Sequence, residues 1–414
     1  MIEVTAAARR ITRTLFVAQG LGLAAVVAMF PIATIVGAKL AGRPTWAGIP
    51  VMLYQLGQAF AAPVWGQVMD RFGRRAALIS GLSLGVVGAA MAGSGVIVSS
   101  FVILLIGMVV IGGARSTVEL SRFVAAEVHR PEERGRAIST VVLGGTVGAI
   151  VGPLLAGPMG TAALRAGLDE LVGPYGVTLL LYGLAALVLV RWLRPEPRDL
   201  AALVAADCAN PGTSAGPARS IREIMSRRPA QVAVLAMVFA QAVMTMLMVI
   251  TPLHMRQHQH SLSQISYVIS AHVVGMYAFS VLSGRLADRW GRGPVIAGGA
   301  GVLLLAALAA RLSPKVLPLG LALFLVGFGW NFCYVGGSSL LADQLTLAER
   351  GRTQGFNDLL VGLSAAAGSF GSGIVFAAVG FGTMGIAAAA VALILLALTL
   401  GTRVGRRAPA PVVR

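Results

Sequence analysis

The chain has 414 residues, of which 57% are hydrophobic and 12% charged, with a formal net charge of +17. Soluble domains carry roughly 25% charged residues, so the composition excludes an ordinary water-soluble globule. The basic excess does not indicate a nucleic-acid binder, because the arginines are spread over alternate loops instead of forming one patch.

A membrane-crossing helix needs ~20 consecutive apolar residues. Cutting the chain at its polar breaks predicts twelve spans, at 12–38, 46–68, 76–97, 101–125, 138–161, 174–193, 229–253, 264–286, 295–311, 317–342, 354–377 and 384–402. The first run exceeds the ~7–15 residues of a signal-peptide core and lacks a cleavage site, so it is expected to remain as span 1. Arg9, Arg10 and Arg13 precede that span, Arg71, Arg74 and Arg75 follow span 2, and Arg130, Arg134 and Arg136 follow span 4. Seven arginines between Arg191 and Arg228 flank the long gap after span 6, and Arg289, Arg292, Arg350, Arg352, Arg403, Arg406 and Arg407 continue the series. The other loops hold only Lys39, Arg43, Arg165, Arg256, Arg311 and Lys315. Positively charged loops stay inside, which places both termini in the cytoplasm of a multi-pass inner-membrane protein. Cys208 and Cys333 have no metal-ligand spacing and argue against a disulfide framework.

Residues 194–228 form the longest polar segment, with "ANPGTSAGP" as a flexible linker and Ile221, Ile224 and Met225 as a short amphipathic helix. This divides the chain into a six-span bundle over 1–193, a cytoplasmic loop over 194–228, and a second bundle with a short tail over 229–414. Two motifs recur across that divide. "GQVMDRFGRR" from residue 66 matches "GRLADRWGRG" from residue 284, with Asp70 and Asp288 separated by 218 residues. "AEVHRPEERGR" after span 4 matches "ADQLTLAERGR" after span 10, with Glu127 and Asp343 separated by 216. The halves read as related repeats of the same orientation.

Those two ten-residue loops resemble the signature of the major facilitator superfamily, roughly G-x-L-x-D-R-x-G-R-[RK]. The resemblance covers all twelve spans, the central loop and the E-R-G-R turns. It implies an all-α membrane fold of two pseudo-symmetric six-helix bundles, and a secondary transporter whose halves rock around a site near the membrane midplane. In the signature loops, Gly66 and Gly284 suit close helix approach, and Gly73 and Gly291 suit tight turns. The resemblance implies that Asp70 meets the inner end of span 11 and that Arg71, Arg74 and Glu127 share its charge network. Arg134, with Asp288, Arg289, Arg292, Asp343 and Arg350 in the second half, completes the candidate conformational latch. Arg75 reads as a topology determinant only.

Charges inside spans are costly and suggest function. Arg115, Glu119 and Arg122 lie at i, i+4 and i+7 of span 4, on one helical face. They read either as a self-neutralising group that permits insertion or as an anion- or proton-responsive site. Glu119 is the first proton-coupling candidate. Asp358, near the start of span 11, is the second, with helix capping as its alternative. Tyr54, Gln55, Gln58, Gln241, His272 and Asn331 complete the substrate-binding candidates; Asn331 is the repeat partner of Arg115. In span 5, Gly148, Gly152, Pro153 and Gly157 partly match the glycine-proline pattern of the family's exporters, while Ser139 and Ala156 depart from it. Gly107 stands where those exporters carry a span-4 arginine. Helix packing is the plain alternative for this motif.

The expectation is proton-coupled efflux of a small organic molecule by a functional monomer in the lipid bilayer. Uptake of an organic anion by symport is the alternative. Minor alternatives are a non-transporting sensor and metal-chelate transport, the latter drawing on His254, His258 and His260 near Met244, Met246, Met248 and Met255. No enzyme motif, resident metal, cofactor or nucleic-acid partner is expected; a proton gradient would supply the driving force.

Overall fold

The computed structural model describes residues 2–130, 133–207 and 219–402, without the side chains of residues 2–3, 205–207, 347–348 and 350–351. Cys208, the linker "ANPGTSAGP", the Arg350 side chain and the basic tail beyond 402 therefore lie outside the described residues. The described chain is helical throughout its spans. In order the helices are α1 (Ile2–Ala41), α2 (Ile49–Phe72), α3 (Arg74–Ile97), α4 (Phe101–Glu127), α5 (Arg134–Val151), α6 (Ala156–Arg165), α7 (Gly173–Trp192) and α8 (Pro197–Asp207). They continue as α9 (Ile221–Met225), α10 (Arg228–Gln257), α11 (Leu262–Tyr277), α12 (Ser280–Trp290), α13 (Arg292–Ala310), α14 (Val316–Ala342) and α15 (Leu347–Thr402).

Among the described residues, ten helical stretches are long and apolar enough to cross a membrane. α2 is not one of them, since Gln55, Gln58, Gln67, Asp70 and Arg71 reduce its hydropathy. α15 runs through what the sequence reads as spans 11 and 12, with a backbone break at Gly380 (φ 76°). Large apolar side chains such as Leu180, Leu187, Leu305, Leu321 and Leu393 point outward and stay exposed. An apolar exterior of this extent requires an apolar solvent.

The chain forms two compact units, Met1–Thr213 with Met255–Ser270, and Ser214–His254 with Ala271–Arg414. The sequence assigns Met255–Ser270 to the second half; in the structure it packs with unit 1. There Arg256 pairs with Glu170, and Ser263 lies against Gly157.

Within unit 1 the central seam joins α1 to α5. Gly144 and Gly148 of α5, and Gly152 just after its end, recur every four residues on one face of span 5. A Cβ added to them would lie 2.2, 1.9 and 2.6 Å from the carbonyl oxygens of Phe16, Gly20 and Ala24 in α1. The backbones meet with no side chain between them, as small residues permit in membrane helices. Span 5 then passes through a 3-10 turn at Gly152–Leu155, which Pro153 opens, into α6. Gly148 and Gly152 thus serve helix packing, and Pro153 the turn.

The signature glycines divide into two kinds. Gly73 and Gly291 adopt φ of 92° and 96°, each closing one helix and opening the next. Side chains rarely tolerate that left-handed region, so the turns need glycine. Within their own units Gly66 and Gly284 face no neighbour, because a Cβ at either would meet nothing within 4 Å.

Two other features depart from the sequence reading. α8 occupies the start of the predicted linker, burying Leu200 and Val204 while Leu203 stays exposed. α9 is the short helix expected near Ile221, with Ser220 accepting from the Glu223 amide as its cap. Span 8 is not continuous: it breaks between α11 and α12 at residues 278–279.

Candidate functional site

The charged loops assemble at one rim of each unit, and the two units repeat the pattern. In unit 1, Arg74 donates from Nη1 to Asp70 (3.0 Å) and to the Met69 carbonyl (2.9 Å). Its Nε and Nη2 reach the two oxygens of Glu127 at 3.0 and 3.3 Å. In unit 2, Arg292 Nη1 donates to Asp288 (2.8 Å) and to the Ala287 carbonyl (2.7 Å), while Nε reaches Asp343 at 3.2 Å. One arginine thus ties the end of one helix to the acid two helices later. The carboxylates of Asp70 and Asp288 are 77% and 73% exposed, so each such bond contributes at most about 1 kcal/mol. Ion pairs this weak can be exchanged cheaply.

Arg71 does not join this network; its guanidinium stacks over Phe72 at 5.2 Å. Arg289 is exposed. Arg134 donates to the His129 carbonyl at 3.4 Å. Arg75, expected only to set topology, also bonds the Val190 carbonyl at 2.8 Å. Glu196 was missed by the sequence reading. Its carboxylate accepts the Arg74 and Arg75 amides at 2.7 and 3.2 Å and caps the first turn of α3 from the central loop. Such a contact joins residues more than 120 positions apart and has no local signature.

In unit 2, Glu349 has the corresponding part at the E-R-G-R turn. It is buried and accepts Arg219 Nε and Nη2, each at 2.7 Å, together with the Arg219 and Thr346 amides at 2.9 and 3.0 Å. Hydrogen bonding by the Arg219 guanidinium, with the Thr346 amide, holds the Glu349 carboxyl well below the usual carboxylate range. At the opposite end of unit 1, Lys39 pairs with Asp169. Burial pushes the Asp169 carboxyl up, but Lys39 and the Leu171 amide outweigh it and hold the group below its ordinary value.

The embedded charges of span 4 form a pair, Arg115 with Glu119, on one face of α4. Arg115 is 8% exposed and Glu119 31%, so the carboxylate has access to solvent-sized space while the guanidinium is enclosed. Arg122 stays apart, its guanidinium over the Phe123 ring at 4.9 Å. Helix α2 packs on α4 one turn away. A Cβ at Gly112 would lie 2.0 Å from the Tyr54 carbonyl and 3.0 Å from the Gln58 amide. Tyr54 is buried and edge-on to Phe30, with centroids 5.6 Å apart, while Gln55 and Gln58 are half-buried. Ser121, a turn and a half along α4, donates to Gln19 of α1 at 3.0 Å. Gln19 was missed; a lone buried glutamine inside span 1 was the available cue.

The candidates in unit 2 do not gather into one group. Gln241 accepts from Trp330 Nε1 at 2.9 Å and donates to Thr245 at 3.2 Å. Trp330 stacks on Tyr334 at 4.7 Å, which adds an aromatic face that the sequence reading did not select. Asn331, the repeat partner of Arg115, serves the break in span 8. Its Nδ2 donates to the Met276 carbonyl (2.6 Å) and Ser280 (2.8 Å), and its Oδ1 accepts from Ser283 (2.8 Å). Its amide is fully used within the protein. His272 is buried, with Nδ1 2.8 Å from the Leu323 carbonyl. Asp358 is exposed at the start of α15 and accepts from Gln354 at 3.0 Å. His254 stacks on Phe381 at 4.2 Å. Among the described residues no group of three or more His, Cys, Asp or Glu could hold a metal ion.

A lipid-compatible helical exterior, repeated arginine–acid loops and an ion pair inside a span define a polytopic membrane transporter. A model of the Major Facilitator Superfamily matches residues 14–243 and again 233–413. The chain belongs to that family, whose members are transporters and not enzymes. It is 33% identical to YdeG, an uncharacterized MFS-type transporter of Bacillus subtilis (strain 168), over 94% of this chain and 92% of that one. It is 32% identical to the riboflavin transporter RfnT of Brucella anthropi over 97% of each chain. The nucleoside transporter NupG has the same fold, with a TM-score of 0.74 at 14% identity, covering 95% of this chain and 99% of NupG.

Proposed function

We propose that the protein is a proton-coupled carrier of a small organic molecule that works by alternating access, with twelve spans and both termini in the cytoplasm. The observation that carries this reading is the Arg115–Glu119 pair, an enclosed guanidinium beside a partly exposed carboxylate within an apolar helix. A proton competes at the Glu119 carboxylate with a substrate group that hydrogen-bonds to it. An anion at Arg115, by contrast, is favoured by protonation of Glu119, which leaves the guanidinium without its counter-charge. Competition for the carboxylate is what an antiporter needs, and cooperation with an anion is what a symporter needs. In unit 1, Tyr54, Gln55 and Gln58 of α2, which packs on α4, supply further polar and aromatic groups for an uncharged organic molecule. The proton gradient is the driving force, and no cofactor or resident metal enters the cycle. Efflux is the working direction.

Uptake is the second reading. It is favoured by the full-length relationship to a riboflavin transporter together with the basic face of α4. The test is flux of riboflavin and a panel of organic anions in proteoliposomes with the pH gradient imposed in either sense. Accumulation when the trans side is acidified supports antiport; accumulation driven by acid on the substrate side supports symport. Fluxes of every compound unaffected by either gradient overturn proton coupling.

A further inference from the structure

At the arginine-rich rim of unit 1 a cavity of about 820 Å³ opens between the start of α1, the end of α4, the start of α5 and helix α8. Its lining includes Arg9, Arg13, Arg130 and Arg136, against the single described carboxylate of Glu133. Among the described residues, the guanidinium groups of Arg13 and Arg136 have neither an ion-pair nor a hydrogen-bond partner. Four guanidinium groups around one space repel one another, and an anion in that space relieves the repulsion. The first turn of α5 adds its free amides, because its N-cap Glu133 makes no side-chain bond to them. Thr5, Thr12, His129 and Thr140 add polar groups to the lining, and Val4, Ala8, Val128, Leu203 and Val204 form an apolar wall.

Unit 2 offers an internal comparison. Glu349 stands 216 residues after Glu133, and there the chain itself supplies the partner, since Arg219 closes on the carboxylate from two sides. In unit 1 Glu133 has no such bond, arginines outnumber it, and a cavity remains. The two turns therefore differ in whether the chain itself supplies the counter-ion.

We propose that this cavity binds a phosphate-bearing anion, either the headgroup of an anionic lipid or a free phosphorylated molecule. Guanidinium forks match phosphate oxygens two at a time. The volume exceeds that of a lone phosphate, and the apolar wall suits the part of the ligand that carries it. The site is separate from the Arg115–Glu119 pair and shares no residue with it.

The experiment uses the full-length protein and measures its unfolding temperature in two arms. One arm is nanodiscs of phosphatidylcholine with rising phosphatidylglycerol. The other is detergent solution with inorganic phosphate, at constant ionic strength maintained with chloride. A saturable rise in the wild type is expected in at least one arm, identifying the lipid or the soluble source accordingly. In the Arg13→Gln/Arg136→Gln variant the midpoint should shift about tenfold or more to higher ligand. Glu133→Gln, which removes the opposing charge and no capping bond, should shift it the other way. That second variant keeps the test decisive if the double arginine variant fails to fold. The proposal is overturned if neither probe stabilises the wild type, or if Glu133→Gln leaves both midpoints unchanged.

Discussion

The seam between α1 and α5 makes a quantitative prediction for Gly148→Ala. The new methyl carbon would lie 1.9 Å from the Gly20 oxygen, 2.7 Å from its carbonyl carbon and 3.0 Å from its Cα. All three are backbone atoms, so no rotamer change removes the clash. Carbon and oxygen need roughly 3.3 Å, so the two helices must part by about 1 Å or more. A radial gap of that size forfeits about a quarter to a half of each neighbouring dispersion contact. Overpacking of this kind costs about 1–3 kcal/mol, while the alanine returns up to ~1 kcal/mol of helix propensity. Gly176 in α7 is the control, since a Cβ there meets nothing within 4 Å. In unfolding titrations with dodecyl sulfate in mixed micelles, Gly148→Ala should unfold at lower denaturant than wild type. Gly176→Ala should unfold at the same point or later. If Gly148→Ala matched Gly176→Ala, the helices would not be in backbone contact and the assignment of the span-5 glycines to packing would fail.

Glu196→Gln weakens the cap on α3 and should cost about 0.5–2 kcal/mol, read as faster hydrogen exchange at the Arg74 and Arg75 amides. Asn331→Ala leaves the Met276 carbonyl and the hydroxyls of Ser280 and Ser283 short of partners, at about 1–3 kcal/mol. Exchange should rise at residues 278–283, and an unchanged pattern there would count against Asn331 as the fastening of that break. Because Glu349 titrates below its ordinary 4.5 in the folded protein, its stabilisation is complete above that pH. It is lost as pH falls through the depressed folded value. An unfolding-versus-pH profile should therefore decline on the acid side, and Arg219→Gln should flatten that decline.

Much of the architecture was legible because it rests on local patterns. Apolar runs set the helices, and the duplicated D-R-x-G-R loops marked the halves, with Gly73 and Gly291 in the positive-φ turns their spacing required. The Arg115–Glu119 pair followed from i, i+4 spacing alone. Long-range partners were not legible. Nothing near Glu196 announces that it caps α3, and nothing near Asn331 announces that it serves a break 50 residues earlier. Gly66 and Gly284 share the sequence context of close-packed glycines, yet neither meets a neighbour within its own unit, because packing depends on which helix lies opposite. The α8 pattern of Leu200, Leu203 and Val204 was present but masked by the prolines and arginines around it.

The proposed proton coupling turns on Glu119. Proteoliposomes holding wild type or Glu119→Gln, loaded with a substrate found in the flux panel, report it directly when the external pH is stepped. Wild-type net flux should follow the imposed gradient. In Glu119→Gln only gradient-independent exchange should remain. A Glu119→Gln protein that still drives substrate uphill on a pH step would contradict it.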